Sequence, residues 1–176
     1  MNILLTILLV IVALIVLLLI IALLSRKAYH VQRSMVINAP VQTVYDYIKQ
    51  LKNQDHYNKW VMTDPNMKKE FTGTDGSVGF IYAWNGNKKA GEGAQEIMAL
   101  TEDKLIETEV RFVRPFPGVA KAIMTTESAS NNQTKITWGN ASQIKFPMNA
   151  LIVMIEKMLA KDMDESLNNL KTILEK

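Results

Sequence analysis

The pattern of apolar and polar positions divides the chain into one continuous apolar run and a longer region of mixed periodicity. The run from Ile3 to Leu24 contains no charged residue and one hydroxyl, that of Thr6, before the polar sequence Ser25-Arg26-Lys27. A helix needs about 20 apolar residues to cross the hydrocarbon core of a bilayer. The run therefore predicts a single transmembrane helix.

Two other interpretations of this run are weaker. A cleaved signal peptide has a basic start, about 7 to 15 apolar residues and a small-x-small cleavage site. This run starts at Met1-Asn2 without a basic side chain, is longer, and ends in Ala22-Leu23-Leu24-Ser25. A buried core helix normally keeps one polar stripe, whereas this run is apolar on every side. We expect an uncleaved anchor with its basic flank over residues 1–28 and a globular domain over residues 29–176.

The charges beside the run predict its orientation. Lys and Arg within about 15 to 20 residues of a span tend to remain in the cytoplasm. Arg26, Lys27 and Arg33 follow the run, and only the α-amine precedes it. We expect a single-pass protein of the cell (inner, cytoplasmic) membrane, with its carboxyl-terminal domain in the cytoplasm.

After the anchor, periodicity predicts one strand, short helices, several strands and a long final helix. Tyr29 to Ile37 has the composition of a strand, and apolar residues recur at helical spacing from Val41 to Leu51. A second short helix or turn is expected over Gln54 to Trp60. Met148 to Leu174 has one apolar stripe and is long enough to cross a curved sheet. The further strands are expected over residues 78–84, 92–100, 105–113, 119–128 and 135–144.

The connections between these strands are typical of hairpins. Asp75-Gly76 and Asn85-Gly86 are signals for tight turns. Within residues 105–113, apolar and charged side chains alternate, which is the pattern of an antiparallel sheet with one buried face. Strands at such short spacing, without helices between them, predict a meander.

Composition narrows the possible functions. The chain has no cysteine, which excludes disulfides, thiolate zinc sites, iron–sulfur clusters and a cysteine nucleophile. The net charge is +3 and the pI is about 9.0, a mild excess that favours anionic lipid by about 1 kcal/mol per basic residue near the surface. No cluster of Lys and Arg with interleaved aromatic residues indicates nucleic-acid binding. The expected partners are the bilayer and a hydrophobic small molecule.

The sequence offers few candidates for catalysis. It contains no Gly-x-Ser-x-Gly motif, and its only histidines are His30 and His56. Asp55 precedes His56 in a polar segment, and Glu92 and Glu96 share one face of a predicted strand, where they form an acid/base pair only if that face is the concave one. We predict no catalytic residue from these patterns, and we expect neither a cofactor nor a metal site.

Several short segments carry a family resemblance. They are Arg33-Ser34-Met35-Val36-Ile37-Asn38-Ala39-Pro40, Asn58-Lys59-Trp60 and Lys135-Ile136-Thr137-Trp138. With them the chain resembles the SRPBCC superfamily of START-like proteins, especially its polyketide cyclase/dehydrase-like branch. The segments 64–67, 72–76 and 82–87 are similar to a bacterial subgroup with an amino-terminal membrane anchor. The resemblance implies an α+β helix-grip fold, a curved antiparallel sheet around a long carboxyl-terminal helix, preceded by one transmembrane helix.

That fold implies a ligand cavity between the sheet and the long helix. Pockets of this kind are mostly apolar with a few polar groups, and methionine side chains repack easily around a ligand. The alternative is that these side chains fill an ordinary core. The lining candidates are Phe80, Tyr82, Trp84, Met98, Phe112, Met124, Trp138, Met154 and Met158.

The segment from Phe112 to Gly118 is a candidate for the rim of the cavity. Two prolines stiffen it, and loops on a rigid scaffold often carry function. We expect Arg114 to meet an anionic head group and Phe116 to contact lipid or ligand. The alternative is a rigid turn without a function in binding.

Three functions follow from the resemblance. The favoured one is a membrane-tethered module that binds or transports a lipid or another hydrophobic small molecule. The second is an enzyme of the cyclase/dehydrase or hydrolase type acting on a hydrophobic substrate. The third is a protein-interaction role like that of chaperone regulators. Superfamily membership alone does not decide among them, because one fold hosts many functions.

Overall fold

The computed structural model describes residues 2–176 and contains one apolar helix followed by a sheet that is packed against helices. The helices are α1 (Ile3–Leu24), α2 (Val41–Lys49), α3 (Gln54–Tyr57), α4 (Lys59–Met62) and α5 (Ile152–Leu174), with 3-10 turns at Leu51–Asn53 and Met148–Leu151. The strands are β1 (Ala28–Ile37), β2 (Lys68–Thr72), β3 (Ile81–Asn85), β4 (Glu92–Thr101), β5 (Leu105–Arg114), β6 (Gly118–Ser130) and β7 (Gln133–Gln143).

The seven strands form one antiparallel sheet in the order β1-β7-β6-β5-β4-β3-β2. Register shifts interrupt the β4–β5 and β6–β7 ladders, and such bulges bend a sheet and increase its twist. Ion pairs and hydrogen bonds connect α5 to β1 along their length. Arg33 binds Asp164 with two bonds of 2.6 Å, and Lys171 Nζ donates to the carbonyl of Val36 at 2.8 Å. The predicted helix-grip architecture is confirmed.

The core lies between α2, α5 and the face of the sheet that these helices cover, which we call the inner face. Residues with even numbers on β6 and β7 point inward, and their odd-numbered neighbours point outward. Trp138 on β7 meets Trp60 of α4 edge to face, with ring centroids 5.6 Å apart. Leu167 and Leu170 of α5 are fully buried against the same cluster.

The sequence pattern missed one strand. β2 has the sequence Lys-Lys-Glu-Phe-Thr, in which charged residues outnumber apolar ones. It lies at the edge of the sheet, where charged side chains are common because they discourage pairing with other chains. Alternation of apolar residues could not have identified it.

Two predicted boundaries near β3 are wrong. Residues 78–80 precede β3 instead of belonging to it, because Gly79 takes φ +84 and breaks the extended backbone. Asn85-Gly86 does not form a two-residue turn, since the connection to β4 runs from residue 86 to 91. Gly91 supplies the left-handed residue there, and a Cβ at Gly91 would approach the carbonyl oxygen of Arg114 to 2.5 Å.

The end of α1 is joined to the start of α5 by buried contacts. Asn149 is fully buried, and its Nδ2 donates to the carbonyls of Ala22 at 2.6 Å and Ser25 at 3.2 Å. Arg26 forms an ion pair with Glu156. Because the last carbonyls of a helix lack partners within the helix, Asn149 acts as a cap supplied from the far end of the chain.

Candidate functional site

The candidate site is the space enclosed by the inner face of the sheet, α2 and α3. A void of about 20 Å³ remains there, with apolar walls from Ile106, Met124 and Trp138. That volume is close to what one water molecule requires. In this conformation the void does not hold a ligand larger than water.

A chain of uncharged polar side chains crosses this apolar wall. Asn58 Nδ2 donates to Gln54 Oε1 at 2.8 Å, and Gln54 Nε2 donates to Gln95 Oε1 at 3.1 Å. Gln95 Nε2 in turn donates to the hydroxyl of Thr108 at 2.9 Å. We call Asn58, Gln54, Gln95 and Thr108 the polar chain. Buried polar groups of this kind are costly unless they are paired, and each pairing fixes one donor or acceptor beside the void.

Sequence analysis did not single out the polar chain. Gln95 and Thr108 stand at inward positions of β4 and β5, where the neighbouring inward residues Ile97 and Ile106 are apolar and buried. The available signal in the sequence was a polar residue at a strand position where the alternation of apolar and polar residues leads one to expect an apolar one. Gln54 lies on a short helix, and only the fold brings it to Gln95.

The predicted cavity residues occupy different environments. Half-buried Trp84 packs edge to face on Phe112, with centroids 6.1 Å apart. Four candidates are buried in the core: Phe80, Tyr82, Met124 and Trp138. Met98, Phe112, Met154 and Met158 are exposed. Of the nine, Met124 and Trp138 line the void.

Met98 points away from the interior. A β-bulge in β4 places Met98 and Ala99 together opposite Glu107 of β5, and Glu107 pairs with Lys121 on the outer face at 2.6 Å. Ile97, one residue earlier, is fully buried on the inner face. Inward residues are even-numbered in β3 and odd-numbered in β4, because Tyr82 pairs with Gln95. Alternation counted from Phe80 across the 86–91 connection therefore assigns Met98 to the wrong face.

A second polar group lies near the β2–β3 edge. The hydroxyl of Tyr82 donates to Asp55 Oδ1 at 2.7 Å, and Lys69 Nζ pairs with Asp55 Oδ2 at 2.7 Å. Burial and the bond to Asp55 raise the pKa of Tyr82, so its hydroxyl remains protonated at neutral pH. The carboxylate of Asp55 is therefore held between two donors.

The other titratable candidates do not converge on the interior. His30 and His56 are exposed. Glu96 faces outward and accepts from Arg111 at 2.6 Å, while Glu92 accepts from Arg114 at 2.7 Å. Among residues 2–176, no three His, Cys, Asp or Glu side chains gather as a metal site.

The rim candidates differ in their contacts. Arg114 binds Glu92 and also donates to Asn85 Oδ1 at 2.7 Å, so its guanidinium connects the β5–β6 hairpin to the β3–β4 hairpin. Phe116 stands at the tip of the β5–β6 connection and is 65% exposed. Arg114 is therefore held between two hairpins, whereas the ring of Phe116 is largely exposed.

A larger cleft of about 200 Å³ lies on the outer face of the sheet. His30, Lys121 and Gly139 are among the residues that line it. The cleft leaves free space at Gly139, where an added Cβ would come no nearer than 3.8 Å to another residue. Sequence analysis made no prediction for this surface.

Comparison with known proteins identifies the fold and a family. The family described as "Polyketide cyclase / dehydrase and lipid transport" matches residues 28–175. No curated protein matches the chain. Truncated norcoclaurine synthase from Thalictrum flavum is similar in structure, with a TM-score of 0.66 and 12% sequence identity over 86% of this chain and 97% of that one.

Two further solved structures have the same fold at low sequence identity. A protein from Chromobacterium violaceum has a TM-score of 0.61 and 14% identity, covering 84% of this chain and 97% of its own. Ara h 8.0201 has a TM-score of 0.60 and 10% identity, again over 84% of this chain and 97% of its own. At such identities the likeness extends to the fold and not to the activity.

Proposed function

Because the chain belongs to the polyketide cyclase/dehydrase and lipid transport family over residues 28–175, we propose that it binds a lipid or other hydrophobic small molecule inside its helix-grip domain while α1 anchors it in the cell membrane. Family and fold support a hydrophobic ligand-binding module. The anchoring, the site and the transport role are our proposal. In it, residues 1–28 form the anchor and residues 29–176 the binding domain.

The observation that carries this proposal is the polar chain within an apolar wall. Ligand sites of this kind combine a largely apolar lining with a few placed polar groups. Gln95 and Thr108 offer amide and hydroxyl groups that exchange their mutual bonds for bonds to a ligand. Because none of these groups is charged, the preferred ligand is an apolar molecule with a neutral polar end, such as a hydroxyl, ester or amide.

Ligand uptake requires movement, since the void is the size of one water. The first turns of α5 are the best candidates for the moving part. Met154 and Met158 are 60% and 53% exposed there, whereas Leu167 and Leu170 in the second half are fully buried. Methionine side chains are flexible and polarizable and repack at little cost. We propose that these turns swing outward, which breaks the ion pair of Glu156 with Arg26 and uncovers Ile152, while Asn149 and the second half of α5 remain fixed.

The proposed anchor fits a bilayer in length and composition. α1 has 22 residues with a mean hydropathy of 3.8, and nearly all of them are exposed in the isolated chain. At about 1.5 Å per residue, such a helix matches a hydrocarbon core of about 30 Å. Tethering limits the search for a membrane-dissolved ligand to the surface of the bilayer, which raises the effective concentration.

We expect the gently purified full-length protein to release a near-stoichiometric hydrophobic molecule on extraction, as measured by mass spectrometry. Ala122→Phe should lose that molecule, because Ala122 is buried beside the void and the larger ring fills it. Overpacking of this kind also costs about 1–3 kcal/mol of stability. Thr125→Phe is the matched control on the outer face of the same strand. An empty wild-type protein, or equal ligand in both variants, would contradict the proposal.

The orientation is tested by protease treatment of intact spheroplasts. Arg26 and Lys27 follow α1 and favour a cytoplasmic domain, so we expect the full-length protein to be protected until the cells are lysed. Digestion from outside would reverse the proposed orientation. Shortened fragments in lysed cells serve as the positive control.

An enzyme and a protein-interaction module are the remaining alternatives. Within residues 2–176, the carboxylates weighed as acid or base, Asp55, Glu92 and Glu96, each pair with a lysine or arginine. Such pairing occupies the carboxylate oxygens that a general acid or base would need to direct at a substrate proton. No observation favours either alternative over binding.

A further inference from the structure

At the end of the sheet that lies beside α1, the strand connections carry exposed apolar side chains and lysines that form no ion pair within residues 2–176. We propose that this end of the sheet docks on the anionic surface of the leaflet from which α1 emerges, with the tip of the β5–β6 connection inserted among the lipid head groups. The inference rests on the proposed function, because it requires α1 to span the bilayer. We call the surface the docking edge and define it by the connections 86–91, 115–117 and 144–151 together with residues 25–27.

The register of the strands brings these segments to the same end of the sheet. Ala28, at the start of β1, pairs with Gln143 at the end of β7. Phe112, near the end of β5, pairs with Gly118 at the start of β6, so the β5–β6 connection lies at this end of the sheet. Ala120 of β6 pairs with Ser142 near the end of β7, which places the β7–α5 connection beside it. The β3–β4 connection lies at the same end, because Asn85 pairs with Glu92, which pairs with Arg114.

The domain cannot pivot freely on its anchor. Asn149 binds the carbonyls of Ala22 and Ser25, the backbone N–H of Ile144 donates to the carbonyl of Lys27 at 2.7 Å, and Arg26 pairs with Glu156. These contacts are made within a few residues of the last turn of α1. An α1 that crosses the bilayer therefore turns the docking edge toward the lipid.

Apolar side chains at this edge have no cover in the fold. Phe116 is the most exposed, and large apolar residues flank it on both sides of the hairpin and beside the start of α5: Val113, Val119, Phe146 and Val153. By contrast, the β4–β5 and β6–β7 connections at the opposite end of the sheet, residues 102–104 and 131–132, contain no apolar residue, and Val78 of the β2–β3 connection is exposed there without large apolar neighbours in those two turns. Contiguous exposed apolar surface rimmed by polar groups is typical of a membrane or protein contact.

The charges at the docking edge complement anionic lipid. Its lysines make no ion pair within residues 2–176: Lys27, Lys88, Lys89 and Lys145. The nearby carboxylates are already engaged, since Glu92 and Glu156 pair with arginines and Asp64 accepts the backbone N–H of Asn87 at 2.7 Å. Each lysine near an anionic surface adds about 1 kcal/mol of attraction.

Docking would bring the first turns of α5 next to lipid. Those turns start beside Asn149 and carry the exposed Met154 and Met158. If they open as proposed above, an apolar ligand moves between the bilayer and the interior without crossing water. The hydrophobic effect then opposes the transfer far less than it would through solution.

The absence of native cysteine makes a single-label experiment direct. Full-length Phe116→Cys, labelled with an environment-sensitive fluorophore, is reconstituted into vesicles of one part phosphatidylserine to three parts phosphatidylcholine. The matched control is Asn131→Cys at the opposite end of the sheet, where Asn131 is also exposed. We expect quenching by nitroxide lipids to be several-fold greater at position 116, and we expect Lys88→Glu/Lys89→Glu/Lys145→Glu to reduce it.

The outcomes separate docking from anchoring. Vesicle flotation of the same samples reports whether α1 is inserted. Inserted protein with equal, weak quenching at both positions would overturn docking and leave the anchor intact. Protein that does not float with vesicles would overturn the anchor itself. Strong quenching at position 116 that is unchanged in pure phosphatidylcholine and in the triple lysine variant would overturn the role assigned to charge.

Discussion

The double variant Val12→Arg/Leu14→Arg is expected to lose most of its membrane insertion. Each arginine near the centre of a span costs about 2.5–3.5 kcal/mol on the insertion scale, whereas each Leu, Ile or Val contributes only about −0.3 to −0.6 kcal/mol. Two arginines therefore cancel most of the favourable free energy that the rest of α1 supplies. The fraction of protein that resists alkaline carbonate extraction measures the effect.

The control for this experiment exchanges the same two side chains without adding charge. Val12→Leu/Leu14→Val should remain in the membrane like the wild type. Extraction of the wild-type protein would contradict the anchor, and so would full retention of the double arginine variant. Intact-mass measurement of the wild type adds a direct test of the alternative, since loss of residues 1–24 or so would mean a cleaved signal peptide.

Leu167→Ala is expected to lower the free energy of unfolding by about 2–5 kcal/mol. Leu167 is fully buried between α5 and the sheet, in the half of the helix that we propose stays fixed. Removing its branched end leaves a cavity that the neighbouring residues fill only in part. Urea unfolding of the full-length protein in detergent micelles measures the change, with fluorescence of the Trp60–Trp138 pair as the signal.

Lys161→Ala is the matched control, because Lys161 is an exposed residue of the same helix. Its effect should stay within about 0.5 kcal/mol, the usual range for surface substitutions. A loss of less than about 1 kcal/mol for Leu167→Ala would contradict the packing described for α5. Equal slopes of the unfolding free energy against urea would indicate that both variants unfold from the same compact state.

Periodicity along the chain was enough to predict most of the fold. The apolar run, the first strand, the helix that starts at Val41 and the long final helix were found because each buries one face or, for α1, exposes only apolar side chains. The resemblance carried by Arg33 to Pro40 and by Lys135 to Trp138 added the helix-grip architecture. Both signals are local, and each could be read without knowing which distant residues meet.

The candidate site was less predictable, since it depends on contacts between distant segments. Gln54 and Gln95 meet because α3 packs under β4, and no local pattern links them. Met98 points outward because the inward residues of β4 are odd-numbered, whereas those of the preceding strand, such as Tyr82, are even-numbered. This change of parity arises across the 86–91 connection, and no local pattern reveals it. Arg114 was expected to meet an anionic head group, and the register of β4 with β5 places Glu92 opposite it, where the two form an ion pair.

The pairing of β1 with β7 has a consequence for how the chain folds during synthesis. β1 follows α1 directly, yet its partner is the last strand. Ala28 therefore cannot pair until Gln143 has been synthesised. Contacts between such distant segments form slowly, because a long loop must close before they are made. The nascent domain therefore holds β1 unpaired until the rest of the sheet has been made. During that interval its exposed edge is open to pairing with another chain, and a chaperone would have its greatest effect then.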